Sequence, residues 1–229
     1  MTPRPLKLLS SMAVREVLAE LVRDFTAQTG QPVVAAAAGG VEVAKRIQGG
    51  EAADVVVLSD TAIDKLIAAA QLRPGRLDLV KSGVAIAVRS GAQQPDISTE
   101  MAVKAAVTDA TSLSYSTGPS GVYLEKLFER WGILETLRPR IVVPPPGIPV
   151  GSLVADGRAA LGFQQLSELL NVAGINVLGP LPAAIQTITT FAAGISVRCE
   201  QPQRAARLLD FLCRPAATGV KQRYGMEPA

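Results

Sequence analysis

The chain has 229 residues, 23 basic and 20 acidic side chains, a formal charge of +3, and 48% hydrophobic residues. That length and apolar content exclude disorder and specify a globular protein, built as one large domain or two smaller lobes. The absence of histidine removes the commonest general base, the histidine triads and most zinc sites.

The predicted elements run as follows. Residues 6–9 read as a short strand ending at Ser10 and Ser11. Val14, Val17, Leu18, Leu21, Val22 and Phe25 then recur at helical spacing until Gly30 and Pro32 stop the helix. A second apolar strand over residues 33–38 closes at Gly39 and Gly40, and a helix through Val43, Ala44 and Ile47 follows. "DVVVL" at residues 54–58 is a buried strand, with Asp60 or Thr61 capping the next helix. This alternation implies a parallel sheet covered by helices.

"GVAIAV" at residues 83–88 is a further buried strand, followed by a turn at Pro95 and Asp96 and a short helix over residues 97–107. A strand over residues 112–115 runs into "YSTGPSGVYLEKLFERWG". There Leu124, Leu127, Phe128 and Trp131 line one face of a helix that Gly132 ends. Capping such a helix takes one hydroxyl, and Ser116, Thr117 and Ser120 supply three. A binding role is therefore read for Ser116 to Gly121, with a plain turn around Pro119 as the alternative.

Pro144, Pro145, Pro146 and Pro149 make a rigid extended loop before a short helix. Beyond it come a strand at 160–163, a helical turn at 166–170, a strand at 176–178, a β-rich run at 185–197, and helices over 204–211 and 216–224. Gln164 and Gln165 follow a buried strand, where two adjacent amides cannot both face the core; a structural bridge and a ligand contact both suit them. Tyr115 and Tyr123 are read as packing residues with satisfied hydroxyls, and Asp60 and Glu168 as capping or solvated carboxylates. Cys199 and Cys213 lie fourteen positions apart and are read as two buried free thiols, with one disulfide as the alternative.

No Lys/Arg block is present and aromatic residues make up 4%, so a nucleic-acid partner is not expected. No run approaches the roughly 20 apolar residues that cross a bilayer, so no membrane insertion is expected. The N-terminal segment lacks a basic start, a long apolar stretch and a small-residue cleavage site, so the chain as written is expected to be cytoplasmic; a chain trimmed of its leader would read the same and be periplasmic.

In order, "LLSSMAVREVLAELVRDFTAQTG", "VAKRIQGGEAADVVVLSD", "GPSGVYLEKLFERWG" and "GRAALGF" resemble the substrate-binding proteins of molybdate ABC uptake systems, a branch of the type II periplasmic-binding-protein fold. The most specific parts are the G-x-x-A-D-V block from Gly50 and the P-x-G-x-Y helix start from Pro119. The resemblance spans nearly the whole chain. It implies an α/β fold of two lobes, each a mostly parallel sheet flanked by helices, joined by two crossover strands. Lobe one would comprise residues 1–82 and 190–229 and lobe two residues 83–189, with the hinge near Lys81 and Thr189. The family expectation is a monomer that closes on a small anion, with no cofactor and no metal.

Carried over by position, Ser10 or Ser11 matches the family's first hydroxyl ligand, Ser120 and Val150 match backbone donors, and Gln165 stands in the place of a ligand tyrosine. Gly39 and Gly40 replace the usual serines, leaving room for a larger ligand. Helix N-termini at Ser10, Ser11, Gly39, Gly40 and Ser116 to Gly121 would supply N–H donors to an anion. Thr117, Gln164 and Gln165 add polar groups, and Arg46 and Arg15, read in turns or first helical turns, could fork to carboxylates.

The resemblance and its departures therefore imply molybdate or tungstate, or a di- or tricarboxylate, as the expected ligand. Three functions fit these residues. One is the solute-binding component of an ABC-type uptake system, partnered by a permease if exported. The second is an isomerase of a small polycarboxylate such as aconitate, working by allylic proton shift, as in the related enzyme aconitate isomerase. The third is a cytosolic ligand sensor.

Overall fold

The computed structural model describes residues 4–145 and 147–229; Pro146 of the proline loop and the first three residues of the leader reading lie outside the described residues. Strand β1 (Leu6–Ser11) passes through a 3-10 turn at Met12–Val14 into α1 (Arg15–Thr29), β2 (Val33–Ala38), α2 (Gly40–Gln48), β3 (Val55–Ser59) and α3 (Asp60–Ala68). Then come β4 (Leu77–Arg89), α4 (Glu100–Asp109), β5 (Leu113–Tyr115), α5 (Pro119–Arg130), α6 (Leu134–Leu137) and α7 (Val150–Ala155). The chain continues through β6 (Leu161–Gln165), α8 (Leu166–Leu169), β7 (Ile175–Pro180) and β8 (Ile188–Ile195), and finishes with α9 (Pro202–Cys213), α10 (Thr218–Arg223) and β9 (Glu227–Pro228).

Two compact units result: the chain up to Lys81 together with Thr190–Ala229, and Ser82–Thr189. Strands β4 and β8 carry the chain from one to the other. In the first unit β1 pairs parallel with β2 and with β3, while β8 runs antiparallel to β3 and β9 antiparallel to β4. In the second, β5 and β6 are parallel, and β4 pairs antiparallel with β6 and with β7. Parallel neighbours therefore mark the strand–helix–strand repeats, and antiparallel pairing marks the crossover strands.

Alternation along the strands splits each core between two sheet faces. Val55 and Val57 point to the face packed by Leu18, Leu21 and Phe25 of α1 and Leu208 of α9, while Val56 and Leu58 join Val43, Ile47 and Ile63 from α2 and α3. In the second unit Val84, Ile86 and Val88 meet Val103, Val107, Leu124 and Phe128, and Ala85 and Ala87 turn to Leu169. Phe128 anchors that core, with Tyr115, Trp131 and Phe163 centred 6.0, 5.8 and 6.2 Å from its ring. Such aromatic pairs add about 0.5–1.5 kcal/mol beyond their area burial.

Both cysteines are free; Cys199 is buried, and Cys213 is half-buried rather than fully so. Burial pushes the Cys199 thiol up to about 11, with a hydrogen bond from its backbone surroundings working the other way, so it carries no thiolate at neutral pH. The second apolar strand, β2, lies at the sheet edge, where it pairs with β1 alone and its Val34, Ala35 and Ala36 are exposed. No helix among the described residues is long and apolar enough to cross a membrane.

Lys221 of α10 is the charge set deepest in the first unit, 3% exposed, with Val14, Val17, Leu18, Leu21, Val80 and Leu212 around it. Its Nζ donates to the Leu79 carbonyl at 2.9 Å, and desolvation lowers its pKa. The Leu79 carbonyl also accepts from the Ala229 N–H, so removing the ammonium leaves it a partner. Lys221→Met is expected to stabilise the fold by about 1 kcal/mol at neutral pH in urea melts. The folded chain releases this proton at lower pH than the unfolded chain does. Parent stability therefore rises relative to K221M as pH climbs toward the ordinary lysine range, and a gap that does not narrow there would refute this account.

Candidate functional site

The turns at the carboxyl ends of the parallel strands carry most of the residues singled out by sequence. In the first unit β1 ends at Ser10, buried, and Ser11, whose Oγ accepts a long 3.4 Å bond from the Ala13 N–H and caps the 3-10 turn. Parallel register sets Ser11 level with Ala38, and a Cβ on Gly40 would lie 3.7 Å from the Ser11 Oγ. Helix α2 starts from Gly39 with no side-chain cap, so no capping side chain satisfies its first-turn N–H groups. Gly39 has open space around its missing Cβ. Ser10, Ser11, Gly39 and Gly40 thus form one polar patch, and this patch carries no charge.

Arg46 departs from the expectation of a turn or first helical turn. It lies in the last turn of α2, about 9 Å along the axis from the helix start at 1.5 Å per residue. Its guanidinium forks onto Glu51 at 2.6 and 2.7 Å, with Glu42 at 3.8 Å. That hydrogen-bonded pair holds the Glu51 carboxyl below the usual range and raises the arginine. The structure therefore does not bring Arg46 to the strand ends. Arg15, first in α1, pairs with its neighbour Glu16.

In the second unit the loop after β5 folds back on itself. The Ser116 and Ser120 hydroxyls bond each other at 2.8 Å, and Thr117 is exposed. Gly118 precedes α5 without a side-chain cap, and Pro119 occupies the first helical position, where no N–H is required. The Gly121 and Val122 N–H groups both turn back to the Gly118 carbonyl, at 3.0 and 3.2 Å. The Ser120 N–H is left facing the loop, at the positive end of the helix. Gly121 is obligatory, since a Cβ there would sit 1.6 Å from the Ser116 carbonyl oxygen.

Strand β6 runs parallel to β5 with Phe163 opposite Tyr115, and Gln164 and Gln165 continue β6 past the end of that pairing. Gln164 is a structural bridge: its Oε1 accepts from the Gly151 N–H at 3.3 Å, just after Val150 at the start of α7, and its Nε2 donates to Glu168 at 2.8 Å. Val150 itself is fully buried, leaving only its backbone as a donor. Gln165 differs. It is 4% exposed, its Nε2 donates to Thr189 Oγ1 at 2.9 Å, and its Oε1 is buried without a partner. A buried amide left half-satisfied costs about 1–3 kcal/mol. Because a hydroxyl donates as well as it accepts, the amide can turn over on Thr189 and present both N–H donors instead.

The tyrosines serve packing. Tyr123 donates to the Ile185 carbonyl at 2.9 Å and Tyr115 to Glu125 at 3.1 Å; burial, then the Glu125 charge, push the Tyr115 hydroxyl well above its ordinary value. No group of three metal-ligating side chains occurs among the described residues. Sequence reasoning gave Thr189 only as a hinge position, without its partner Gln165, and missed Ser82. Both are buried polar residues at the ends of the second unit, and Ser82 Oγ also lacks a partner. A serine between Lys81, read as hinge, and Gly83, read as the start of a buried strand, was the available signal.

Each α/β unit thus ends its parallel strands in uncharged polar groups: hydroxyls and helix-start amides in the first, hydroxyls and a half-satisfied carboxamide in the second. The sequence matches the bacterial extracellular solute-binding protein family over residues 6–227, and the chain belongs to that family. It is 36% identical over 232 residues to aconitate isomerase from a Pseudomonas species, covering 97% of this chain and 87% of that one. The periplasmic molybdate-binding protein of Azotobacter vinelandii shares the fold at a TM-score of 0.80 and 22% identity, over 96% of this chain and 98% of that chain. A sulfate-binding protein of Mycobacterium tuberculosis does so at 0.80 and 12% identity, over 99% and 88%.

The two loop glycines are expected to part company on substitution. Gly121→Ala should cost about 3 kcal/mol or more in urea melts, because the Ser116 backbone has to move. Gly118→Ala, whose Cβ would meet Ser116 Oγ at 3.8 Å, should fold within about 1 kcal/mol of the parent.

Proposed function

We propose that the protein captures a small polycarboxylate and interconverts the cis and trans isomers of aconitate. The observation that carries this reading is the 36% identity, over nearly the full length, to a protein described as an aconitate isomerase. The local chemistry agrees. Gly39 leaves space where the molybdate-binding pattern carries a serine, and the Gln165 carboxamide, once turned over on Thr189, would meet a carboxylate with its N–H donors. Bound carboxylates would be neutralised by dipoles and hydroxyls instead of by a fixed cation.

The reaction asks for one proton transfer out and one back. A base takes a proton from the substrate methylene, the double bond shifts by one carbon, and a proton returns to the former vinyl carbon, with no other atom gained or lost. The chain has no histidine, so the base is a carboxylate, tyrosine, lysine or activated hydroxyl. Family membership favours a second reading, capture without turnover as the solute-binding component of an uptake system with a permease partner.

Proton NMR of cis-aconitate in deuterated buffer separates them. The isomerase reading predicts trans-aconitate and deuterium at the carbon that is reprotonated. A thermal shift with aconitate but no exchange assigns the receptor role, and a shift confined to molybdate and tungstate sinks the polycarboxylate reading. Ligand at about 100 times its dissociation constant should stabilise the fold by about 2.7 kcal/mol. Gln165→Leu should weaken aconitate by about tenfold, the loss of one charge-assisted hydrogen bond, while folding normally.

A further inference from the structure

An open groove of about 250 Å³ lies wholly within the first unit, between the C-terminal half of α1 and helix α9, lined by Phe25, Thr29, Gln31, Arg204 and Arg207. Residues 204, 207, 211 and 214 fall on one stripe of α9 at helical spacing, so Arg214, one residue past the helix, continues the line of Arg204 and Arg207. Its guanidinium lies 3.5 Å over the Phe211 ring, which in turn packs edge-on against Phe25 at 5.3 Å. Arg204 and Arg207 therefore line the groove over Phe25, and the Arg214 guanidinium lies beside it on the adjoining Phe211 ring.

We infer that this groove is a second anion site, built for a compact doubly charged oxyanion such as inorganic phosphate or the phosphate group of a small ester. The partners of the three arginines support this. Arg204 Nη1 rests on Gln31 Oε1 at 3.2 Å and Gln201 Oε1 at 2.7 Å, and Arg214 Nη1 on Gln28 Oε1 at 3.0 Å. All of these acceptors are neutral amides. Asp24 of α1 and Asp210 of α9 make no ion pair with any of the three among the described residues, and Glu200, four residues before Arg204, pairs with Arg4 instead; Arg46, Arg76, Arg130, Arg138 and Arg223 likewise each pair with a carboxylate.

The groove is also preorganised. Gln31 is 8% exposed and donates through Nε2 to the carbonyls of Arg4 and Pro32 at 2.9 and 3.0 Å, which aims its Oε1 at Arg204. The Arg204 Nε and Nη2 hydrogens are left for a ligand. The Arg214 Nε–H is buried and has no partner. Arg207, between them and exposed, makes no hydrogen bond among the described residues. Two cations held in place and one free to swing match an anion offering several acceptor oxygens. Balancing the C-terminal dipole of α1 would take one cation within a turn, which leaves the other two unexplained.

The test is a phosphate titration at constant ionic strength, read by the arginine Nε–Hε NMR signals and by melting temperature, on the parent and on Arg207→Gln. Phosphate should move the Arg204, Arg207 and Arg214 signals and raise the melting temperature. R207Q should bind phosphate about tenfold more weakly and melt like the parent without it, since Arg207 holds no structural bond. Glycerol phosphate in place of phosphate tells an ester from the free ion, and a response to either supports the site. Unmoved guanidinium signals, equal affinity in R207Q, or shifts confined to the backbone amides of Gly40 and Ser120 would overturn it, the last by assigning phosphate to the strand ends.

Discussion

The approach of the Ser116 carbonyl to the Gly121 backbone governs the second unit's polar loop. With 1.6 Å between that oxygen and the place of a side chain, the chain turns from β5 into α5 in a space that admits no Cβ. The tight turn brings the Ser116 and Ser120 hydroxyls within 2.8 Å of each other. It also sends the Gly121 and Val122 amides back to Gly118. The hydroxyls that could have capped the helix are spent on each other, and the Ser120 amide stays open. An uncapped start forgoes about 1 kcal/mol, a cost that a protein can recover by binding an anion there.

The same economy of charge runs through the first unit's strand ends. Ser11 spends its hydroxyl on a weak 3.4 Å cap, and α2 begins at two glycines with nothing to cap it. Positive charge is placed elsewhere, as Arg46 shows by closing on Glu51 at the far end of its helix. Fixed dipoles need no reorganisation as a ligand arrives, and they bind an anion without the desolvation that a buried guanidinium would demand.

Much of this was legible because periodicity and turn chemistry act locally. The run of strand, serine turn and helix at residues 6–25, and the hydroxyl-rich start of α5, followed from spacing alone. Long-range facts did not. The edge position of β2 depends on which strand takes the other side of β1, and Val-Val-Ala-Ala reads equally well as a central strand. The full length of β4, Leu77–Arg89, was hidden because Asp78, Lys81 and Ser82 interrupt its apolar run where it passes between units. Arg46 was misplaced for a different reason: its six-residue distance from Gly40 already set it nearly two turns from the helix start, with Glu51 in reach. The proposed roles of Gln164 and Gln165 could not be told apart by sequence, since only tertiary partners distinguish a doubly bonded amide from a half-satisfied one.

That distinction carries the chemistry furthest. Gln164 is held at both ends, its oxygen by Gly151 and its nitrogen by Glu168, so turning the amide over would break the bond to the α7 start. Gln165 hangs from a single hydroxyl whose donor and acceptor roles exchange freely. A carboxamide in that setting can meet an acceptor with its N–H groups or a donor with its oxygen, and the unpaired state costs free energy until one arrives. A tyrosine, which the family resemblance expects at this position, offers one hydroxyl at a fixed reach. The shorter amide leaves more room and presents two N–H donors, a change suited to a carboxylate, whose two oxygens accept side by side, more than to a tetrahedral oxyanion.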